Sequence, residues 1–293
     1  MKKISVLILS SLIFLSCNLG AYWFVTGEYP DDRSQTIQVL PDQNVSSNKK
    51  YTVLVMTDIH FGSGRRDRND EAFIEDFKKL LSDSDETQLP RFMICLGDAL
   101  DGGHQEEADN YNSFIEKVRQ IAVNAGISDF KTYTILGNHD LYHYGWDVWK
   151  KNIYPYTSYY TLKTNADSAY EGFSWYFIDS ANGTLGKAQL EDLEKNLASD
   201  TRPKIILSHY PVHCDGLSIL SLQDPMEKNR LISAFAKNNV KVVFEGHAHQ
   251  STLYDNSSFE ERIIPSFLMH RTYCLVTIDE ETESVYHRLR AYE

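Results

Sequence analysis

Basic residues are scarce in this chain of 293 residues: 29 lysines and arginines stand against 41 acidic residues, a formal net charge of −12. That balance excludes a general nucleic-acid surface. Apart from Cys17 there are only Cys95, Cys214 and Cys274, an odd number, so at least one thiol stays unpaired within a monomer. Cys95 and Cys274 lie in strand-like runs and read as buried apolar fillers, and Cys214, four residues after Tyr210, as a loop residue. No internal repeat and no long low-complexity tract appears. The apolar run Ile4 to Ser16 is too short to span a bilayer. What is present is 42% hydrophobic content, enough at this length to bury a sizeable core as one domain, or one domain plus a tail.

Five short segments carry the chemistry: Asp58-Ile59-His60, Gly97-Asp98, Gly137-Asn138-His139-Asp140, Ser208-His209 and Gly246-His247-Ala248-His249. They supply two aspartates, one asparagine oxygen and four histidines as metal ligands, with an extra histidine beside an aspartate. Oxygen and imidazole donors without thiolate suit Mn, Fe or Zn, and a carboxylate can bridge two ions. Each segment follows an apolar run: Tyr51 to Met56, Phe92 to Leu96, Thr132 to Leu136, Ile205 to Leu207, and Val240 to Phe244. Such runs predict buried strands of an α/β sheet, at whose carboxyl ends ligands gather. Glycines 97, 137 and 246 suit turns that bring backbone close to the ions. Between the strands, Phe73, Phe77, Leu80 and Leu81 repeat at helical spacing. So do Phe114, Ile115, Val118, Ile121 and Ala122 before Gly126, then Leu190, Leu193 and Leu197, then Leu231, Ile232 and Phe235. The alternation gives an α/β class.

In order and spacing the five segments resemble the calcineurin-like metallophosphoesterase superfamily, whose pattern is Asp-x-His, Gly-Asp, Gly-Asn-His-Asp/Glu, a lone His, and Gly-His-x-His. The resemblance spans residues 52 to 249. It implies two packed mixed β-sheets flanked by helices, a four-layer α/β/β/α sandwich over residues 51–293, with a dinuclear site at one edge. By motif position Asp58, His60 and His249 hold one divalent ion, and Asn138, His209 and His247 the other, with Asp98 between them. His139 sits over the phosphate, oriented by Asp140. Two such cations let hydroxide form from a shared water near neutral pH, for in-line attack on a phosphodiester or phosphomonoester, while His139 serves the leaving oxygen. Purple acid phosphatases carry Gly where this chain has His60 and a Tyr ligand where it has Asp101, so a phenolate–iron centre is excluded. Protein serine/threonine phosphatases carry an arginine after Gly-Asp-x-x-Asp, where Gly102 stands here. The motif pair most resembles small phosphodiesterases. A turnover-deficient protein that binds metal and phosphate, or a scaffold on the same fold, is the alternative.

The N-terminus reads as an export signal. Lys2 and Lys3 precede the apolar run, and Phe14-Leu15-Ser16-Cys17 resembles a bacterial lipobox with Phe14 where Leu is usual. Residues 1–16 are thus a signal peptide, Cys17 a lipidation site, and 17–50 a polar linker that lets the domain stand off the membrane. Free secretion, or an uncleaved anchor running on through Ala21 to Val25, are the competing readings. Ala21 to Val25 and Thr36 to Leu40 alternatively dock on the domain as short strands. The expected partners are therefore a small phosphorylated substrate and, through Cys17, the cell-envelope membrane. Two features bear on substrate without assigning it. Eight aromatics fall between Leu141 and Tyr160, for base or head-group stacking or for local packing. Arg65 and Arg66 follow Asp-x-His, as a phosphate clamp or a solvated loop. His213 and His270 read as structural or surface residues.

Overall fold

Runs such as Lys50–Met56, in which every residue after the first is buried, form strands covered on both faces. The computed structural model describes residues 29–43, 45, 49–65, 68–165, 172–216 and 218–293. The leader, Cys17, Ala21 to Val25 and Arg66 lie outside these residues. One sheet has the order β12 (Ser284–Ala291), β11 (Thr272–Asp279), β2 (Lys50–Met56), β3 (Pro90–Cys95), β4 (Thr132–Thr134). The other runs β1 (Gln38–Val39), β5 (Tyr160–Lys163), β6 (Ser174–Phe177), β7 (Lys204–Leu207), β8 (Val240–Glu245), β10 (Glu260–Ile263), β9 (Thr252–Asp255). Both are mixed, and the α/β sandwich expected from the sequence is the observed fold.

Alternation along the strands makes the layers. Val53, Val55, Phe92, Ile94, Trp175, Phe177, Val242 and Phe244 meet between the sheets. Leu54, Met56, Met93 and Cys95 face the other way, into the layer of α2 (Asp70–Asp83), α3 (Gln105–Asn124) and α4 (Gly145–Asn152). Ile206 and Val243 do the same on the far sheet, against α5 (Lys187–Ser199) and α6 (Pro225–Lys237). Because β2, β3 and β4 are parallel, as are β6, β7 and β8, their carboxyl ends share one edge. The pairing continues past the strands: Asp58 N donates to Gly97 O, His60 N to Asp98 O, and Gly246 N to His209 O. The loops that carry the candidate ligands are thereby registered against one another.

The stretch read as linker is corrected in part. Residues 29–43 are folded onto the domain: α1 (Pro30–Arg33) packs near α5, and β1 pairs in parallel with β5. The docked alternative therefore describes Gln38–Val39. Leu40 is buried between the sheets and Ile37 packs beside α5, but most of the remaining contacts are polar and leave no apolar pattern in the composition. Arg33 donates to both oxygens of Asp179 (2.8 and 3.1 Å) and to Asn182, and Gln43 accepts from Tyr133.

On α6, buried Glu227 accepts from Leu185 N and Thr184 Oγ1, each at 2.7 Å, tying the helix to the loop before α5. Burial pushes its carboxyl up to about 7. An acid raised in the folded state stabilises fully below its ordinary value, and that contribution fades as pH rises through the raised one. Between pH 5 and 8 the stability of the wild type relative to Glu227→Gln should thus fall by roughly 2–3 kcal/mol. Urea unfolding at the two pH values checks this, and a difference that does not change with pH would refute it.

Candidate metal centre

Five of the seven sequence-predicted ligands, Asp58, His60, Asp98, His247 and His249, adopt φ between +49° and +58°. Non-glycine residues occupy this left-handed region at a cost of order 1–3 kcal/mol each, and such strain concentrates at functional sites. Here it turns each side chain back over the carboxyl edge. Gly137 has a different duty: a Cβ there would stand 2.1 Å from Asp98 Oδ1, so only glycine lets the Asn138 loop lie against the central carboxylate.

All seven predicted ligands come together. Asp58, His60 and His249 form one cluster and Asp98, His209 and His247 another, each with ligand atoms within 4.8 Å. In the first, Asp58 Oδ1 lies 2.9 Å from His249 Nε2 and 3.9 Å from His60 Nε2. Its Oδ2 is occupied by Thr57 Oγ1 and His247 N. In the second, His209 Nδ1 donates to Leu96 O at 2.7 Å. This directs Nε2 to Asp98 Oδ2 (3.4 Å) and Asn138 Oδ1 (3.2 Å). Asp98 Oδ2 is also 3.9 Å from His60 Nε2, placing that oxygen between the clusters. Asn138 Nδ2 donates to Tyr142 Oη at 3.2 Å, which fixes the amide with its oxygen toward His209.

The role expected of Asp140 is corrected. Its two oxygens accept from Leu100 N and Gly137 N at 2.8 and 2.7 Å, so it is fully buried as a brace between the Asp98 and Asn138 loops. Burial and the charge of Asp98 raise its carboxyl to about 8. His139 is oriented instead by Asp101, whose carbonyl accepts from Nδ1 at 2.8 Å. The Asp101 carboxylate lies 3.8 Å from that nitrogen and 3.2 Å from His60 Nδ1, the latter outside hydrogen-bond alignment. With Nδ1 engaged, the free atom of His139 is Nε2.

The electrostatics describe a site built for cations. Burial works against ionised Asp58, yet His249 and His209 hold it down to about 2, and His209 and His60 depress Asp98 further. Burial also opposes charge on His60 and His209, yet neighbouring carboxylates raise each to about 9. Two buried carboxylates are thus compensated by imidazolium protons, positive charge that divalent ions replace. His247 is the exception. Burial and His209 lower it to about 4, and its Nε2 is buried without a hydrogen-bond partner, as a ligand atom without its ion would be. The residues therefore fit two divalent ions.

Several supporting residues were not legible in the motifs. Ser180 Oγ accepts from His209 N and Tyr210 N, and Ser266 Oγ donates to Asp58 O. Their sequence separations of 29 and 208 leave no local signal. Asp101 had one, in its place three residues after Asp98. Of the aromatic segment, Trp149, Tyr159 and Tyr160 are buried as packing, while Tyr144, Tyr154 and Tyr156 are exposed. Arg65 is exposed, as is His270, while half-buried His213 pairs with Glu261.

The model of a family described as calcineurin-like phosphoesterase matches residues 51–251. No curated protein matches the chain. Among solved structures, a dimetal phosphatase from Danio rerio superposes with a TM-score of 0.55 at 12% identity, covering 83% of this chain and 99% of that one. GAP50, the anchor in the inner membrane complex of Plasmodium, gives 0.56 at 15% identity, over 83% of this chain and 89% of that one. At such identities the likeness is one of fold.

Proposed function

Because the chain belongs to the calcineurin-like phosphoesterase family, we propose that it is an exported, lipid-anchored hydrolase of phosphodiesters or phosphomonoesters that works with two divalent ions. The observation that carries the reading is the pair of ligand clusters joined by Asp98, with His139 beside them. Asp58, His60 and His249 would hold one ion and Asn138, His209 and His247 the other. Bound there, the ions would supply Lewis acidity and an activated water. The chain's own part is to hold the ligands in place and to present His139 Nε2, with Nδ1 secured, for proton transfer to the departing oxygen. Cys17 would carry the lipid, and the leader before it the export.

Metal-free protein reconstituted with Mn or Zn should take up about two ions per chain by elemental analysis and hydrolyse members of a diester and monoester panel. Consistently less than one ion overturns the dinuclear reading. Two ions with no hydrolysis across the panel gives the turnover-deficient binding protein instead.

A further inference from the structure

The chain enters the domain at the metal edge. β6 is parallel to β7 and β8, so Asp179, His209 and His247 follow their strands on the same side. Arg33 grips Asp179, and Asp31 Oδ1 accepts from Ala188 N at the start of α5, which opens on that side. β1 then runs away from it, pairing Gln38 with Tyr160 opposite Phe177, with Gln43 bridged to Thr164 beyond. Tyr29, where the described residues begin, therefore lies by the metal edge.

Residues 18–28 are all that separate Cys17 from Tyr29, twelve Cα steps. Twelve such steps reach at most about 40 Å, whatever conformation they take. A domain of this size is roughly 45 Å across, so turning the metal edge away from the anchor would need a path of roughly 70 Å around its surface. Twelve residue steps cannot span it. The same edge also exposes large apolar side chains. Met226 at the start of α6 is 76% exposed and Tyr144, following the His139 turn, 73%. Ile219 lies on the loop after His209, and Met269 has its sulfur 3.0 Å from His249 Nδ1.

We propose that the metal edge faces the bilayer that holds the anchor, and that the substrate is a phosphodiester headgroup carried by a lipid of that bilayer. This rests on Cys17 as the lipid site and on the hydrolase reading. It replaces the picture of a domain standing off on a long linker, because residues 29–43 are spent on the fold. Without Lys2 and Lys3 of the leader the lipidated chain has 27 basic against 41 acidic residues, a net charge of −14, which suits a zwitterionic surface.

The test uses the full lipidated chain, loaded with Mn, on vesicles of phosphatidylcholine and phosphatidylethanolamine. A fluorophore on Met226→Cys should be quenched by nitroxide lipid in the vesicle, and one on Tyr286→Cys, at the opposite edge, should not, both in a Cys214→Ser background. Equal quenching, or no vesicle association, overturns the orientation. Cys17→Ala should keep turnover of a water-soluble aryl diester and lose turnover of the vesicle's own headgroups by roughly tenfold or more, as the local concentration is lost. Soluble-diester turnover without headgroup release by the lipidated chain overturns the substrate class. The expected quenching with no turnover of either substrate refutes the hydrolase reading and leaves the orientation standing.

Discussion

His139→Ala should leave both metal sites able to fill while turnover falls by roughly 10²- to 10⁴-fold, the range of a lost general acid. Metal binding should survive because the hydrogen bond from His139 to the candidate ligands comes from its backbone: His139 N donates to Asp98 Oδ1 at 2.8 Å, a bond alanine keeps, and its ring meets His60 only edge-on. The leaving group supplies the control. An aryl diester, whose departing oxygen hardly needs a proton, should lose less than an alkyl ester, and equal losses would argue for electrostatic stabilisation instead. Asp101→Asn should share the leaving-group signature with a milder loss, of roughly tenfold, since the carbonyl that holds Nδ1 remains and only the carboxylate is removed. Asp140→Asn should not share it. Its carboxyl braces backbone at Leu100 and Gly137, so the expected result is lowered stability with the ratio of aryl to alkyl turnover unchanged. An Asp140 variant with the His139 signature would restore the role first expected of Asp140.

Arg33→Ala should destabilise the protein by roughly 3–5 kcal/mol, the cost of leaving one partner of a buried ion pair without the other. The Arg33 and Asp179 side chains are 1% and 0% exposed, so solvent does not relieve the remaining carboxylate. In a chain of this size the shift in Tm should be about 10 °C. Removing both charges, as Arg33→Met with Asp179→Leu, should recover much of the loss, since an apolar pair of similar volume often matches a buried ion pair. A second readout follows from position. Asp179 precedes Ser180, whose hydroxyl accepts from His209 N, so Arg33→Ala should also weaken retention of the ion held by His209 more than that held by Asp58. Thermal unfolding with metal counting measures both. A Tm within 2 °C of wild type, with both ions kept, would show that the Arg33–Asp179 pair does not hold residues 29–43 to the fold.

Sequence alone placed five apolar runs and four helical faces in order along the chain and picked out seven candidate ligands, which the fold brings together. Asp58, Asp98, Asn138, His209 and His247 each follow an apolar run whose burial is readable from composition, and in parallel strands such positions converge on one edge whatever the details of packing. Only the tertiary structure decided what holds those residues. Asp140 and Asp101 are both acidic neighbours in the motifs. The choice between bracing backbone and orienting His139 depends on where Leu100 and Gly137 come to lie, separated from each other by a whole strand and helix. Likewise residues 29–43 have the composition of a tether, and what ties them to the fold includes Arg33 meeting Asp179 across 146 residues. Polar contacts of that span have no periodicity along the chain. Apolar patterning records which face of an element is buried, while the partner of a buried charge exists only once the strands are side by side.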